Sequence, residues 1–594
     1  MTNKQKPTVI GSECRFVVHI PKNDKLGTED THLIKEQVHL SDGTIRPNVK
    51  LVRNFPRTFS ITAPHARNHY QKKEWEHQDN LITIQCTESD LRGSVARALE
   101  KSWSKDTLRE LCASPYIYGT EISSSAIIKG LELKKYPNIV RSPYTVASLD
   151  IETDVVRGTE DPILITVCFK DQVKTFGTKM YFEGIIDPIA EYHRLAQHYL
   201  GEYTKPFPVD PTTPDGVIYP FGFNFSLEIL DTPVDILKAA IDQLHKWMPD
   251  FVAIWNINFD IPKMNNTFLK YGMDLSDMWC DKRIPVRICR YKEGQTKKVT
   301  SSGKVKPINP AMQWHTFYLS ATFYLICQMS TYRYTRIAKP EEASYKLGDT
   351  LDRNLNRNKL DFEEAKGYTE LRWHAFMQTK YRMMYVIYNN WDAMSQLVLD
   401  FKTKDLSMAI GLNSFVTDFS RFNSQPRKIA DAFQDYCDPL KYVVASVGPV
   451  AQVAEADVAT DDDFEDDESE NFSSKNPYLD DNFEETLGLA GWILTLKSTH
   501  QILGLKLVVD CPNLQTGFRA YVFDSDAVGA YPTATEVMNV SKDTNICELI
   551  GIDDIQLDVF KMQNMNLLCG PVNSIEYCTN IFRMPKPEEL LNYI

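Results

Sequence analysis

Long apolar runs are missing from this chain of 594 residues, which excludes a bilayer-spanning helix. The N-terminus, MTNKQKPTVIGSECR, lacks the apolar core of a secretory signal, and no lipid-anchor motif is visible. Its twelve cysteines are scattered, with no CxxC pair and no Cys/His cluster, which argues against a disulfide framework and against zinc fingers. No internal repeat is present. These absences lead us to expect a cytoplasmic protein with no membrane contact.

An excess of positive charge is missing too. The net charge is −13, which at first argues against nucleic acid, but DDDFEDDESE at Asp461–Glu470 holds eight acidic residues, and the rest of the chain carries only −5. Local charge matters more for phosphate binding. Between Arg287 and Lys306 there are seven Lys/Arg against one Glu, in a turn-rich stretch that reads as an extended hairpin. Such a hairpin is either simply solvated or set against a nucleic-acid backbone.

What is there suggests several domains. The first 140 residues mix short strands (CRFVVHI, LITIQC) with a helical stretch, SDLRGSVARALEKSW. From Tyr144 the texture becomes YTVASLDIE, ILITVCF, DILKAAIDQLHKWM, FVAIWNI: strands alternating with amphipathic helices, the pattern of a helix-covered sheet. A helical region runs from Glu363 to Thr403. Residues 454–485 are acidic and polar and read as a disordered linker or a surface insertion, and strands return in the last ~110 residues.

Three short segments carry candidate chemistry. In SLDIETD, Asp150 and Glu152 are two apart on a strand and share a face. In FVAIWNINFDIPKM, a strand ends, Asn256 opens a turn, and Asp260 stands before a proline as a helix N-cap would. In YRMMYVIYNNWDAM, Tyr388 and Asp392 are four apart on one face of a helix. Each alone reads as ordinary structure: a polar strand end, a cap, an exposed helical Asp. Together they supply four carboxylates, a set that holds two hard divalent cations. One cation activates a water while the other stabilises the leaving oxygen of a phosphodiester.

In chain order these segments resemble the three exonuclease motifs of the DnaQ-like 3′–5′ proofreading nucleases, built on an RNase H-like sheet. The resemblance places Asp150, Glu152, Asp260 and Asp392 on metal-binding positions and gives Tyr388 the attacking water to orient. It assigns Asn256 and Phe259 to the DNA end. It implies two Mg²⁺ ions per site, with Mn²⁺ as a substitute.

The stretch DAVGAYPT resembles motif A of the family B DNA polymerases. Asp526 falls on the metal-binding aspartate and Tyr531 on the residue beneath the nucleotide sugar. Gly529 and Ala530 stand where that family has serine and leucine, which keeps the backbone donors and removes a hydroxyl. Motif B, Kx(3)NSxYG, and motif C, a DTD hairpin, do not occur. NSIEYC at Asn573–Cys578 has the wrong spacing, with Cys569 at the lysine position, and GIDD at Gly551–Asp554 comes too early.

The motif order, and RNFPRTFSITAPHARNHYQKKEWEH near the start, resemble the replicative family B polymerases of tailed bacteriophages. The expected fold is α/β and α+β multidomain. Residues 1–140 would form the N-terminal domain, 141–403 the RNase H-like exonuclease, 404–453 a return segment, 454–485 an acidic linker, and 486–594 a partial palm with the start of the fingers. The resemblance implies primer–template DNA, single-stranded 3′ ends and deoxynucleoside triphosphates as ligands. It further implies a second polymerase chain carrying motifs B and C, and it admits a sliding clamp. The alternatives are a stand-alone 3′–5′ exonuclease with a vestigial palm, or a non-catalytic DNA-binding subunit of a replisome.

Overall fold

The computed structural model describes residues 7–446, apart from 25–26, 70–72, 74, 102–103, 214–215, 300–304, 338–340 and 412–436. Asp526, Gly529, Ala530 and Tyr531, the acidic run 461–470 and the segments 454–485 and 486–594 lie outside the described residues. The described residues all belong to one compact unit. Its class is mixed α/β.

Near the N-terminus β1 (Val9–Ile20), β2 (Thr31–Leu40) and β3 (Ile45–Arg53) form an antiparallel sheet in that order. Alternation along β1 turns Phe16, Val18 and Ile20 to one face, where they pack with Leu33, Tyr144, Phe251 and Ile326. Polar contacts reinforce this shared core. Gln37 Nε2 donates to Asp250 Oδ1 at 2.9 Å, and Lys35 Nζ donates to the Met248 carbonyl at 2.9 Å. Helix α1 (Ser124–Lys135) is capped by Ser123, whose Oγ accepts from the Ala126 N–H, and it packs on β1.

The stretch SDLRGSVARALEKSW is helical only over Leu91–Ala98. Leu99 closes the last turn through its N–H to the Val95 carbonyl, and Glu100 then adopts a left-handed φ of 60°. A left-handed residue just past the last turn ends a helix, whatever the propensity of the sequence beyond.

The centre is an eight-stranded mixed sheet. Its members in chain order are β4 (Val146–Thr153), β5 (Pro162–Phe169), β6 (Gln172–Thr178), β7 (Asn224–Leu230), β8 (Phe251–Ile254), β9 (Cys289–Lys292), β10 (Thr316–Leu319) and β11 (Tyr324–Cys327). Across the sheet they run β7-β6-β5-β4-β8-β11-β10-β9. Strands β4, β5 and β6 form an antiparallel meander, whereas β8 joins parallel to β4 and β11 parallel to β8.

Register decides where the site lies. Strand β8 pairs only with Val146–Ser148, so Asp150 and Glu152 project beyond its last residue, Ile254. A register irregularity between Glu152 and Thr153 marks the end of the β4–β5 ladder. Bulges at strand ends re-aim side chains. The space above β8 is taken by the first turn of α4 (Ile257–Lys270), which Asp260 occupies.

Helices α2 (Pro188–Leu200), α3 (Pro233–Trp247) and α6 (Arg382–Thr403) cover the sheet, and α5 (Glu370–Lys380) packs on α6. Helix α3 starts with a capping box of Thr232 and Asp235 and has Pro233 at its first position, where no N–H is needed. Helix α6 crosses β4 and β5 and is buried along nearly its whole middle, Tyr385 to Leu399. Among the described residues no helix is long and apolar enough to cross a membrane, and every described cysteine is free.

Candidate metal centre

Strand β4 alternates as the sequence predicts. Leu149 and Ile151 enter the core, while Ser148, Asp150 and Glu152 face α6. Ser148 Oγ donates to the Ala393 carbonyl at 2.6 Å and fixes the helix above the strand. Asn389 Nδ2 donates to Asp150 Oδ2 at 2.7 Å. The Tyr385 hydroxyl donates to Glu152 Oε2, and is itself met by His374 Nδ1 at 2.7 Å and Gln378 Nε2 at 3.3 Å. Beneath Asn389 lies a buried polar bed in which Thr166, Thr175, Asn390 and Tyr192 hydrogen-bond one another, so the helix cannot rotate without breaking several buried bonds.

One carboxylate oxygen from each of Asp150, Glu152 and Asp392 lies within 4.8 Å of the others. Asp392 and Glu152 are buried, and Asp150 reaches solvent. Asp260 is buried at the start of α4 and stands outside that triad. It still belongs to the same electrostatic group: its charge acts on Asp150, and the charge of Glu152 acts on it. The sequence reading of Asp260 as an N-cap is corrected. The helix begins at Ile257 with Asn256 in the cap position, so Asp260 falls inside the first turn and Pro262 beyond it.

Burial comes first in raising every one of these carboxyls, and mutual repulsion adds to it at Asp150, Glu152 and Asp260. Glu152 is pushed up to about 8, although the Tyr385 hydroxyl opposes the shift. Lys359 offsets the charge at Asp392. Its ammonium donates to Asp392 Oδ2 and, at 2.8 Å, to the Tyr388 hydroxyl. Burial alone would lower this lysine, but the surrounding acids, Asp392 foremost, outweigh it and raise the group well above its usual value.

If all four carboxyls ionise, one ammonium cannot offset their charge, which is the situation a bound cation relieves. Asp392 Oδ1 is buried and has no hydrogen-bond partner among the described residues. Hard oxygen donors with an open lone pair suit Mg²⁺ or Mn²⁺, so the donor set fits the metal that the sequence implies. Asp150, Glu152 and Asp392 could hold a metal ion.

Asn256 is half-buried at the mouth of α4, and Phe259, one position before Asp260, is 50% exposed with the Lys263 ammonium 5.9 Å from its ring centroid. Both therefore stand beside Asp260. Sequence reasoning missed Lys359, Tyr385, Asn389 and His374. Tyr385, Asn389 and Asp392 lie on one helical stripe, so a search for polar residues sharing the face of Asp392 would have found the first two. Lys359 lies outside any helix or strand and offers no such signal. No family model matches the chain, and no curated protein matches it.

Proposed function

We infer that this chain is of the phage family B DNA polymerase type, and that its described part is a metal-dependent 3′–5′ exonuclease on an RNase H-like sheet. One observation carries the reading: carboxylates from a strand and from a helix 240 residues further along converge, with Asp260 beside them and their charge only partly offset by Lys359. Asp150, Glu152, Asp260 and Asp392 would hold two Mg²⁺ ions, which supply an activated water and charge stabilisation at the scissile phosphate.

The protein's own groups position the reactants. Lys359 fixes the Tyr388 hydroxyl, which then directs a water toward the phosphate as a single well-placed hydrogen-bonding group. Its ammonium would also offset charge that develops on the phosphate. Tyr385 and Asn389 hold Glu152 and Asp150 in one rotamer each. Phe259 offers a ring face on which the terminal base stacks, and Asn256 flanks it. The basic hairpin, whose strands Lys297–Val299 and Val305–Pro307 pair antiparallel, supplies cationic charge for the DNA backbone. Polymerisation needs motifs B and C in addition to Asp526 and Tyr531.

The test is trimming of 5′-labelled single-stranded DNA with and without Mg²⁺. Trimming should require Mg²⁺ and vanish in the Asp150→Ala, Glu152→Ala double variant. Mg²⁺ should also raise the melting temperature of the native chain and not of that variant, since a ligand bound only by the folded state stabilises it by about 2.7 kcal/mol at a hundredfold excess over Kd. Trimming that persists in the double variant would overturn the assignment.

A further inference from the structure

A second group of ligating side chains lies in the N-terminal sheet. His19 on β1 and His32 on β2 are register partners across the antiparallel ladder, so both leave the sheet on one face. Their rings stack with centroids 4.9 Å apart at 27°. Asp30, buried just before β2, takes the Ser89 N–H on Oδ2 at 2.8 Å and meets His19 Nε2 at 3.1 Å through the same oxygen. One ligand atom from each of the three lies within 4.8 Å of the others.

Two atoms here lack partners. Asp30 Oδ1 and His32 Nδ1 are both buried with no hydrogen-bond partner among the described residues, and they face each other at 3.9 Å. Their residues are both 0% exposed. The far side of the His32 ring explains the mismatch. Nε2 lies 2.7 Å from Ser124 Oγ, and the Ser124 N–H donates to Glu88 Oε2 at 2.9 Å. With Nε2–H donating to that hydroxyl, Nδ1 carries a lone pair able to ligate a cation. At 3.9 Å the gap between Asp30 Oδ1 and His32 Nδ1 is too wide for a hydrogen bond in either tautomer. Arg57 does not answer them, because it is engaged by Glu88 and the Thr120 carbonyl.

We propose that His19, Asp30 and His32 bind a divalent transition-metal ion of the Zn²⁺ class. Two imidazoles and a carboxylate suit a borderline cation far better than Mg²⁺. Ser124, held by Glu88 through its N–H, is the outer support that orients the His32 imidazole. His19 is half-buried, which gives the ion a way in and leaves room for a water as fourth ligand. Bound there, the ion ties β1 and β2 together beside the first turn of α1. The site is chemically distinct from the carboxylate centre and does not depend on the exonuclease reading.

Co²⁺ is the probe, titrated into metal-stripped full-length protein and followed by its visible ligand-field bands. The expected result is one equivalent bound, displaced by Zn²⁺, unaffected by excess Mg²⁺, and retained in an Asp150→Asn, Asp392→Asn variant that lacks the acidic centre. His19→Gln and His32→Gln should each abolish the bands, and Ser124→Ala should weaken binding roughly tenfold to a hundredfold. If His32→Gln fails to fold, His19→Gln, at the more exposed position, decides alone. Bands that survive His19→Gln, that disappear in the Asp150/Asp392 variant, or that never reach stoichiometry overturn the proposal.

Discussion

The Lys359 ammonium bridges the Asp392 carboxylate and the Tyr388 hydroxyl, reaching both from a segment about thirty residues upstream. One cation thereby fixes two groups that sit one helical turn apart, and its carboxylate partner keeps a second oxygen free. If Lys359 serves the reaction, Lys359→Met should lower turnover about a hundredfold or more, the scale seen when one preorganised electrostatic donor is removed. The KM for single-stranded DNA should barely move. A purely structural lysine would instead lower the melting temperature while leaving turnover per folded molecule intact, so single-turnover kinetics alongside thermal denaturation separates the two.

Phe259 presents a half-exposed ring beside a buried acid. Phe259→Ala should change stability by no more than about 0.5 kcal/mol, as surface truncations do. It should weaken binding of a single-stranded 3′ end roughly tenfold, within the ~1–3 kcal/mol attributed to one base–aromatic stack. Fluorescence anisotropy with labelled oligonucleotide measures this. Unchanged affinity would remove Phe259 from the DNA-binding set.

Near the end of α6, the Asp400 carboxylate accepts the Leu406 N–H at 3.1 Å. Burial, with the charge of Asp405 adding to it, pushes this acid up from 3.8 to about 6. A folded-state value above the unfolded one means the native state binds the extra proton between those limits, so stability falls as pH rises through that window. Asp400→Asn keeps the acceptor and loses the charge. The variant should match the native chain near pH 4 and exceed it by about 1–2 kcal/mol at pH 7, a figure set below the full shift because the side chain keeps some contact with water. Urea denaturation at the two pH values checks it.

Much of the sheet and part of the centre were legible because both obey short periods. Two-residue alternation placed Asp150 beside Glu152, and four-residue spacing placed Tyr388 beside Asp392. The helix over the sheet was harder to read correctly. Asn389, Asn390, Asp392, Ser395 and Gln396 are buried there, although a polarity rule would turn them to solvent. Their partners are side chains and carbonyls far away in sequence, such as Thr166 and Thr175, which no local pattern reveals. Lys359 escaped for the same reason, since its place is set by the helix it reaches. The helix start was misplaced by four residues, with Asn256 rather than Asp260 in the cap position, because Asn and Asp rank alike as caps and only tertiary position chose between them.

The overhang of β4 past the end of β8 makes the centre sensitive to chain length as well as to chemistry. Deleting or inserting a single residue between Ser148 and Glu152 would turn Leu149 and Ile151 toward the helix and drive the acids into the hydrocarbon interior. Swapping one aliphatic residue for another on the back of the strand leaves that phase untouched. Laboratory mutagenesis of this segment should therefore tolerate exchanges such as Leu149→Ile and reject single-residue insertions and deletions.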